Sequence, residues 1–238
     1  MNPRSLAIAQ TARGDAAKAA GDLDQAESYF RSALYTYIEL EDRYSSAQML
    51  SALADLRFQS GDYASAADLN RQAAERMPGS VAPLTGLGYA LWLAGSPADA
   101  DATFTQALHR DPYALSALAG RGQVRADLGR SALALADLDL ALSLSPAESV
   151  LTDIRSARAV ALGGLGRFEE AWPEIDTALG LAPNRPRTHL RAAHLSMLAD
   201  DASRAAAEAR ASLAGDPPLS PRESQAARRF LAKSGSGG

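Results

Sequence analysis

The chain has 238 residues, of which 47% are hydrophobic, 22% charged and only 6% aromatic, with a net charge of −4 and no cysteine. The acidic balance argues against a general nucleic-acid binder, which needs a basic surface, and the missing cysteine removes disulfides and thiolate metal sites. No run approaches the roughly 20 apolar residues of a membrane span, and the start, MNPRSLAIAQTARGD, lacks the apolar core of a secretory signal, so a cytoplasmic chain without membrane insertion is expected.

The predicted elements are helices in pairs. The first unit, about residues 5–40, turns at Gly21-Asp22-Leu23 and continues through Ala26, Phe30 and Ala33 toward Glu41 without a terminating proline. The second, 45–78, turns at Gly61-Asp62-Tyr63 and carries Ala66 and Ala73 before Pro78. The third, 81–112, has Leu84, Leu87, Leu91 and Ala94 before Gly95, then Ala100, Phe104, Ala107 and Leu108 before Pro112. The fourth, 115–146, turns at Gly129, and the fifth, 150–183, turns at Gly166. The sixth, 186–217, is degenerate, with Asp200 at the turn position, and residues 221–233 read as a covering helix with Ser220 as its N-cap.

The period is the main signal. Gly61, Gly95 and Gly129 are spaced by 34 residues, and a fixed period of that length marks a repeat array. Within each unit, apolar residues recur at three- and four-residue intervals, the stripe of an amphipathic helix. Glycine permits the left-handed turn that ends the first helix, and proline stops the second. Two irregular spacings stand out: 40 residues from Gly21 to Gly61, with about six extra residues in the helix or its loop, and 37 from Gly129 to Gly166. Pro173 is expected in the first turn of its helix, where the missing N–H costs nothing. The stretch SGSGG, 234–238, reads as a flexible tail.

Leu87-Gly88, Gly95, Ala100, Phe104, Ala107 and Pro112 resemble the tetratricopeptide repeat, and Gly61, Gly129 and Gly166 anchor similar matches. The resemblance covers about residues 5–217. It departs from the family where Leu50, Leu84 and Leu118 replace bulky aromatics, and where Arg57 and Arg125 stand at a position commonly taken by a packing tyrosine. What it implies is an all-α fold, a right-handed superhelical solenoid of about six hairpins plus a C-terminal capping helix, forming one solenoid domain over residues 1–233. It also implies a concave groove lined by the first helices, in which family members mostly bind proteins or peptides.

On that register, the groove side of the first helices carries Asp15, Lys18, Asp55, Phe58 and Gln59, then Tyr89, Trp92 and Leu93, then Gln123, Asp127 and Val160, and then Arg187, Leu190, Arg191, His194 and Met197. Phe58, Tyr89 and Trp92 form a candidate aromatic anchor, because large rings supply contact area at low entropy cost. The competing reading makes Phe58 and Trp92 ordinary packing aromatics. Arg187, Arg191, His194 and Leu198 form one helical stripe that either grips a carboxylate or is simply solvated. A chaperone-tail clamp is doubtful, because Ala119, Gln123 and Ala157 stand where that clamp needs other residues.

No enzyme chemistry is indicated. His189 and His194 are five apart and point to different helix faces, so no metal pair forms locally. Gly86-Leu87-Gly88 lies within a helical repeat and follows no strand, so it is not a dinucleotide fingerprint. Asp99, Asp101, Asp137 and Asp139 read as solvated charges, since residues two apart on a helix do not face each other. The expectation is an adaptor with no cofactor and no metal that binds a partner's peptide or helix. The alternatives are a self-assembling scaffold, whose partner is another copy, and a peptide-sensing regulatory module.

Overall fold

The computed structural model describes residues 2–235, and within them every regular element is an α-helix. The connections explain why. After Lys18 the chain closes a turn in which Gly21 N–H donates to the Lys18 carbonyl at 3.1 Å and Asp22 N–H to the Ala17 carbonyl at 3.0 Å. This pair of bonds satisfies carbonyls left over at a helix end and requires a left-handed residue between them. Gly21 supplies it with φ +80°, and Asp22 then caps the next helix by accepting from Gln25 N–H at 3.0 Å. A three-residue turn thereby ends one helix and starts its antiparallel neighbour.

The first compact unit ends at Asp111. It contains α1 (Pro3–Ala19), α2 (Leu23–Glu39), α3 (Arg43–Gln59), α4 (Tyr63–Arg76), α5 (Ala82–Leu93) and α6 (Pro97–Arg110). The second begins at Pro112 and contains α7 (Leu115–Asp127), α8 (Ser131–Ser143), α9 (Glu148–Gly164), α10 (Phe168–Leu181), α11 (Pro186–Leu198), α12 (Ala202–Ala214) and α13 (Pro221–Gly235). The 40-residue spacing contains no long loop. Glu41-Asp42 repeats the Gly-Asp turn, with Glu41 at φ +53° and Asp42 capping Ser45 N–H at 2.9 Å, so α2 and α3 each extend to 17 residues.

Packing inside each hairpin rests on close approach. Phe104 of α6 is fully buried against Gly88 of α5, where a β-carbon would lie 2.7 Å from the ring. Gly14 meets Phe30 and Gly122 meets Leu138 in the same way. Burying a phenylalanine contributes about 1.5–3 kcal/mol, and only glycine on the facing helix leaves room for it.

Two local expectations are corrected. Pro173 is the sixth residue of α10, inside the helix and beyond its first turn. It has no N–H to give the Glu169 carbonyl, and the turn continues with Thr177 Oγ1 donating to the Pro173 carbonyl at 2.7 Å. The tail is shorter than expected from composition. Ser234 and Gly235 belong to α13, with Ser234 Oγ donating to the Phe230 carbonyl at 2.8 Å, and 236–238 lie outside the described residues.

Candidate functional site

The first helices of the N-terminal unit place the expected residues in two groups. Asp55 and Gln59 are exposed on α3, and Asp55 accepts from Lys18 Nζ of α1 at 3.1 Å. Phe58 is half-buried, edge-on to Tyr63 with ring centroids 5.2 Å apart, and it packs on Ala66, Ala67, Leu87 and Ala90. Tyr89 is also half-buried, edge-on to Phe104 at 5.1 Å and 6.3 Å from Trp92. Trp92 itself is 1% exposed and Leu93 5% exposed. Both are core residues, so the expected three-ring anchor is reduced to the accessible edges of Phe58 and Tyr89. The indole has no face left for a partner.

The C-terminal unit brings its expected residues into one polar cluster. Arg191 of α11 is 3% exposed. Its Nη2 donates to Gln123 Oε1 of α7 at 2.8 Å, while Nη1 donates to Ser156 Oγ at 2.8 Å and the Asp153 carbonyl at 2.9 Å on α9. Gln123 and Arg191, expected to face a partner, therefore answer each other. Asp153 is shared, accepting from Arg185 Nη2 at 2.7 Å through Oδ2, while Oδ1 lies 3.7 Å from Arg191 Nη1. Burial lowers the Arg191 pKa, and Asp153 and Asp127 partly offset it. The half-buried Asp127 thus belongs to the same electrostatic cluster.

Arg187 and His194, one further along the stripe on either side, are covered by α13. Arg187 Nε donates to Glu223 Oε1 at 2.6 Å. Burial opposes the Arg187 charge, but Glu223, backed by Asp153 and Asp127, raises its pKa. His194 stacks on Phe230 with centroids 5.5 Å apart and planes 24° from parallel, and burial lowers its pKa. Phe230 is legible in the sequence as an apolar residue of the covering helix, whereas Glu223 is not among the expected residues. The Ser220-x-x-Glu223 spacing is a capping box, and it was the available signal.

The remaining charges fall mainly on second helices. Asp137 of α8, expected to be solvated, is 5% exposed and held by Arg121 and Arg125 of α7 at 2.7 and 2.8 Å. Asp101, at 9%, is buried as well. In the N-terminal unit a groove of about 550 Å³ lies along α4, α5 and α6, floored by Leu84, Leu87 and Leu91 and edged by Arg71, Glu75 and Asp99. His189 Nδ1 and Nε2 lie 2.6 Å from Glu208 and 2.7 Å from the Pro183 carbonyl, so the histidines serve separate contacts. Among the described residues no group of three or more His, Asp or Glu is placed to hold a metal ion, and no helix is long and apolar enough to cross a membrane.

Two family models, both described as tetratricopeptide repeat, match residues 5–79 and 85–149, together more than half of the chain. The chain belongs to the tetratricopeptide repeat family. Solved structures with the same fold include the APC/C hetero-tetramer Cut9-Hcn1, at 17% identity and TM-score 0.75, matched over 98% of this chain and 43% of that one. The present chain thus spans under half the length of that relative. A tetratricopeptide repeat protein from Parabacteroides merdae matches at 17% identity and TM-score 0.66, over 98% and 94% of the two chains. PilW, described as a widely conserved type IV pilus biogenesis factor, matches at 19% identity and TM-score 0.66, over 89% and 94%. No curated protein matches the sequence.

As a tetratricopeptide repeat array the chain is, in general terms, a protein-interaction scaffold, a fold that generally carries no catalysis. The two arginines at the family's tyrosine position now have an account. Arg57 bonds Glu27 of α2, and Arg125 bonds Asp137. Each replaces ring packing between helices with a charge-assisted pair, whose planar donor fork fixes the geometry.

Proposed function

We propose that this tetratricopeptide repeat protein is an adaptor that takes a peptide or helix of a partner protein along the first helices, with α3 and α5 as the primary contact. The observation that carries this reading is the α3–α5 face, where exposed Asp55 and Gln59 stand with the half-exposed rings of Phe58 and Tyr89. Rings that are already held edge-on by Tyr63 and Phe104 lose little entropy on binding, and the flanking polar groups fix register. The test is capture from native lysate by the wild type and by a Phe58→Ala, Tyr89→Ala variant whose helicity is checked by circular dichroism. A partner lost by the folded variant supports the reading, since hot-spot truncation costs about 2 kcal/mol or more. Equal capture moves the contact elsewhere, with the groove along α4 to α6 next in line.

Self-association is the second reading, favoured by one feature. Leu6, Ile8, Tyr35, Ile38, Leu40 and Tyr44 are all exposed by more than a third, and all lie in α1, α2, the turn after them and the first turn of α3. Exposed apolar side chains concentrated at one end of a chain mark interaction sites. A mass that rises with concentration in light scattering, and returns to monomer with Tyr35→Glu and Ile38→Glu, is the outcome this reading requires.

A further inference from the structure

His189 stands in α11 between two acceptors. Its Nδ1 lies 2.6 Å from Glu208 Oε2 of α12, and its Nε2 lies 2.7 Å from the carbonyl of Pro183, in the connection between α10 and α11. A carbonyl and an ionised carboxylate only accept, whereas a neutral imidazole has a single N–H to donate. With one proton the ring turns a nitrogen lone pair onto an oxygen at hydrogen-bond distance; with two it answers both oxygens. The side chains of His189 and Glu208 are 18% and 17% exposed, so water does little to relieve the mismatch.

The charged groups around the ring leave it Glu208. On α12, Arg204 Nε stands 3.9 Å from the other Glu208 oxygen, but its Nη2 reaches Asp176 of α10 at 2.6 Å and its guanidinium lies 4.4 Å from the Trp172 ring centroid, which draws it toward α10. Arg210 of α12 and Asp216 after it are exposed. Of the other acids of α10, Glu174 takes Arg155 and Arg158 of α9, and Glu169 and Glu170 sit in the first turn, at the end away from Pro183. Asp153 of α9 is engaged by Arg185 and Arg191, Glu223 of α13 by Arg187, and Asp127 of α7 acts on Arg187, Arg191 and His194. The Glu208 bond, backed by the Pro183 carbonyl, holds the His189 pKa above 6.5 against burial.

The connection is pinned on its other side by Arg185, whose Nη1 donates to the Ser149 carbonyl at 3.0 Å and Nη2 to Asp153 Oδ2 at 2.7 Å, both on α9. A guanidinium keeps its charge at any pH the fold survives, so of these two ties only His189 titrates. The geometry points to His189 as a proton-operated latch: the imidazolium fastens the Pro183 connection and α12 to one ring of α11, and losing its second proton releases the connection while the helices stay formed. Because the folded ring holds its proton more tightly than the unfolded one, the latch is closed below pH 6.5 and opens as pH rises through the folded value. In a stacked array each hairpin is held by its neighbours alone, so the latch sets with pH how firmly the last hairpin joins the one before it.

The test uses the full chain with nitrogen-labelled histidine. Proton–nitrogen correlation spectra from pH 5 to 9 read Nδ1 and Nε2 separately, and both should be protonated at pH 7. Glu208→Gln, which keeps an acceptor but not the charge, should move the titration to lower pH. Arg185 N–H, bonded to the Ala182 carbonyl at 3.2 Å, reports on the connection. Its hydrogen exchange should speed up by about tenfold or more beyond the chemical effect of pH as the proton leaves, the size of one charge-assisted hydrogen bond, while amides within α10 and α12 keep their protection. In His189→Gln that excess should be present at every pH. A ring with one proton at pH 7, or Arg185 exchange that tracks only the chemical effect of pH in the wild type, overturns the proposal. Both of those readings come from the wild type, so a misfolded variant does not blur the outcome.

Discussion

Replacing Arg191 with alanine tests whether the basic stripe of α11 is a solvated binding surface or a buried strut. The side chain donates to Gln123, Ser156 and the Asp153 carbonyl, and its charge stands 3.7 Å from Asp153 Oδ1. Truncation leaves Gln123 Oε1 without its Arg191 donor and removes one donor each from Ser156 Oγ and the Asp153 carbonyl, which keeps only its bond from Ser156 Oγ among side chains, beside a carboxylate oxygen that already has no hydrogen bond. Breaking a buried charged pair from one side costs about 3–5 kcal/mol, mostly as the penalty of the groups left behind. With a urea slope of about 2–3 kcal/mol/M, the unfolding midpoint should fall by about 1–2.5 M in a circular-dichroism titration. Arg191→Lys keeps the charge but cannot reach acceptors on two helices with one ammonium, so it should fall between wild type and alanine. A midpoint shift below about 0.3 M for Arg191→Ala would refute the strut, since that is the size expected of a solvated surface arginine.

Three further outcomes follow from local geometry. The two histidines of α11 should give opposite pH trends. The Glu208 hydrogen bond raises His189 above its reference 6.5, so the protonated ring stabilises the fold fully below pH 6.5 and that contribution is lost as pH rises through the folded value. Burial lowers His194, so the unfolded chain binds its proton first and stability falls as pH drops below 6.5. Melting curves from pH 5 to 8 should lose the alkaline fall in His189→Gln and the acid fall in His194→Phe. Glu41→Gly should raise stability by up to about 1 kcal/mol in thermal melts, because Glu41 holds φ +53° at a turn position where five equivalent residues are glycine. Pro173→Ala should also stabilise, by up to about 3 kcal/mol in the same assay, by giving the Glu169 carbonyl its intrahelical donor; no change would mean that α10 bends around the proline without loss.

The fold was legible because its determinants are local. The turn glycines, the aspartate caps and the Gly88–Phe104 approach are all set by residues close in sequence, and each repeats. Asp200 shows the limit of reading residue type alone, since it takes φ +57° and performs the glycine's role in a turn that seemed degenerate. Glu41 does the same, which hid the equal lengths of α2 and α3. The candidate site was less legible because burial depends on neighbours several helices away. The register put Trp92 and Tyr89 on one face correctly, yet it could not show that one ring is sealed and the other keeps an edge. For Gln123 and Arg191, 68 residues apart, nothing in the sequence signals their bond.

These placements bear on where recognition can occur. A polar side chain contributes to partner binding only if the partner improves on the bonds it already makes, because exchanging one satisfied bond for another gains little. Gln123 and Arg191 are satisfied within the C-terminal unit, so a partner would have to open their network at the cost worked out above. Arg187 is satisfied as well, by Glu223 of the covering helix with Asp153 and Asp127 behind it. In the N-terminal unit no exchange is needed at Phe58 and Tyr89, whose ring edges are accessible as the chain stands. On the reading proposed above, the α3 and α5 face is therefore where a partner gains contact without breaking bonds that the chain already makes.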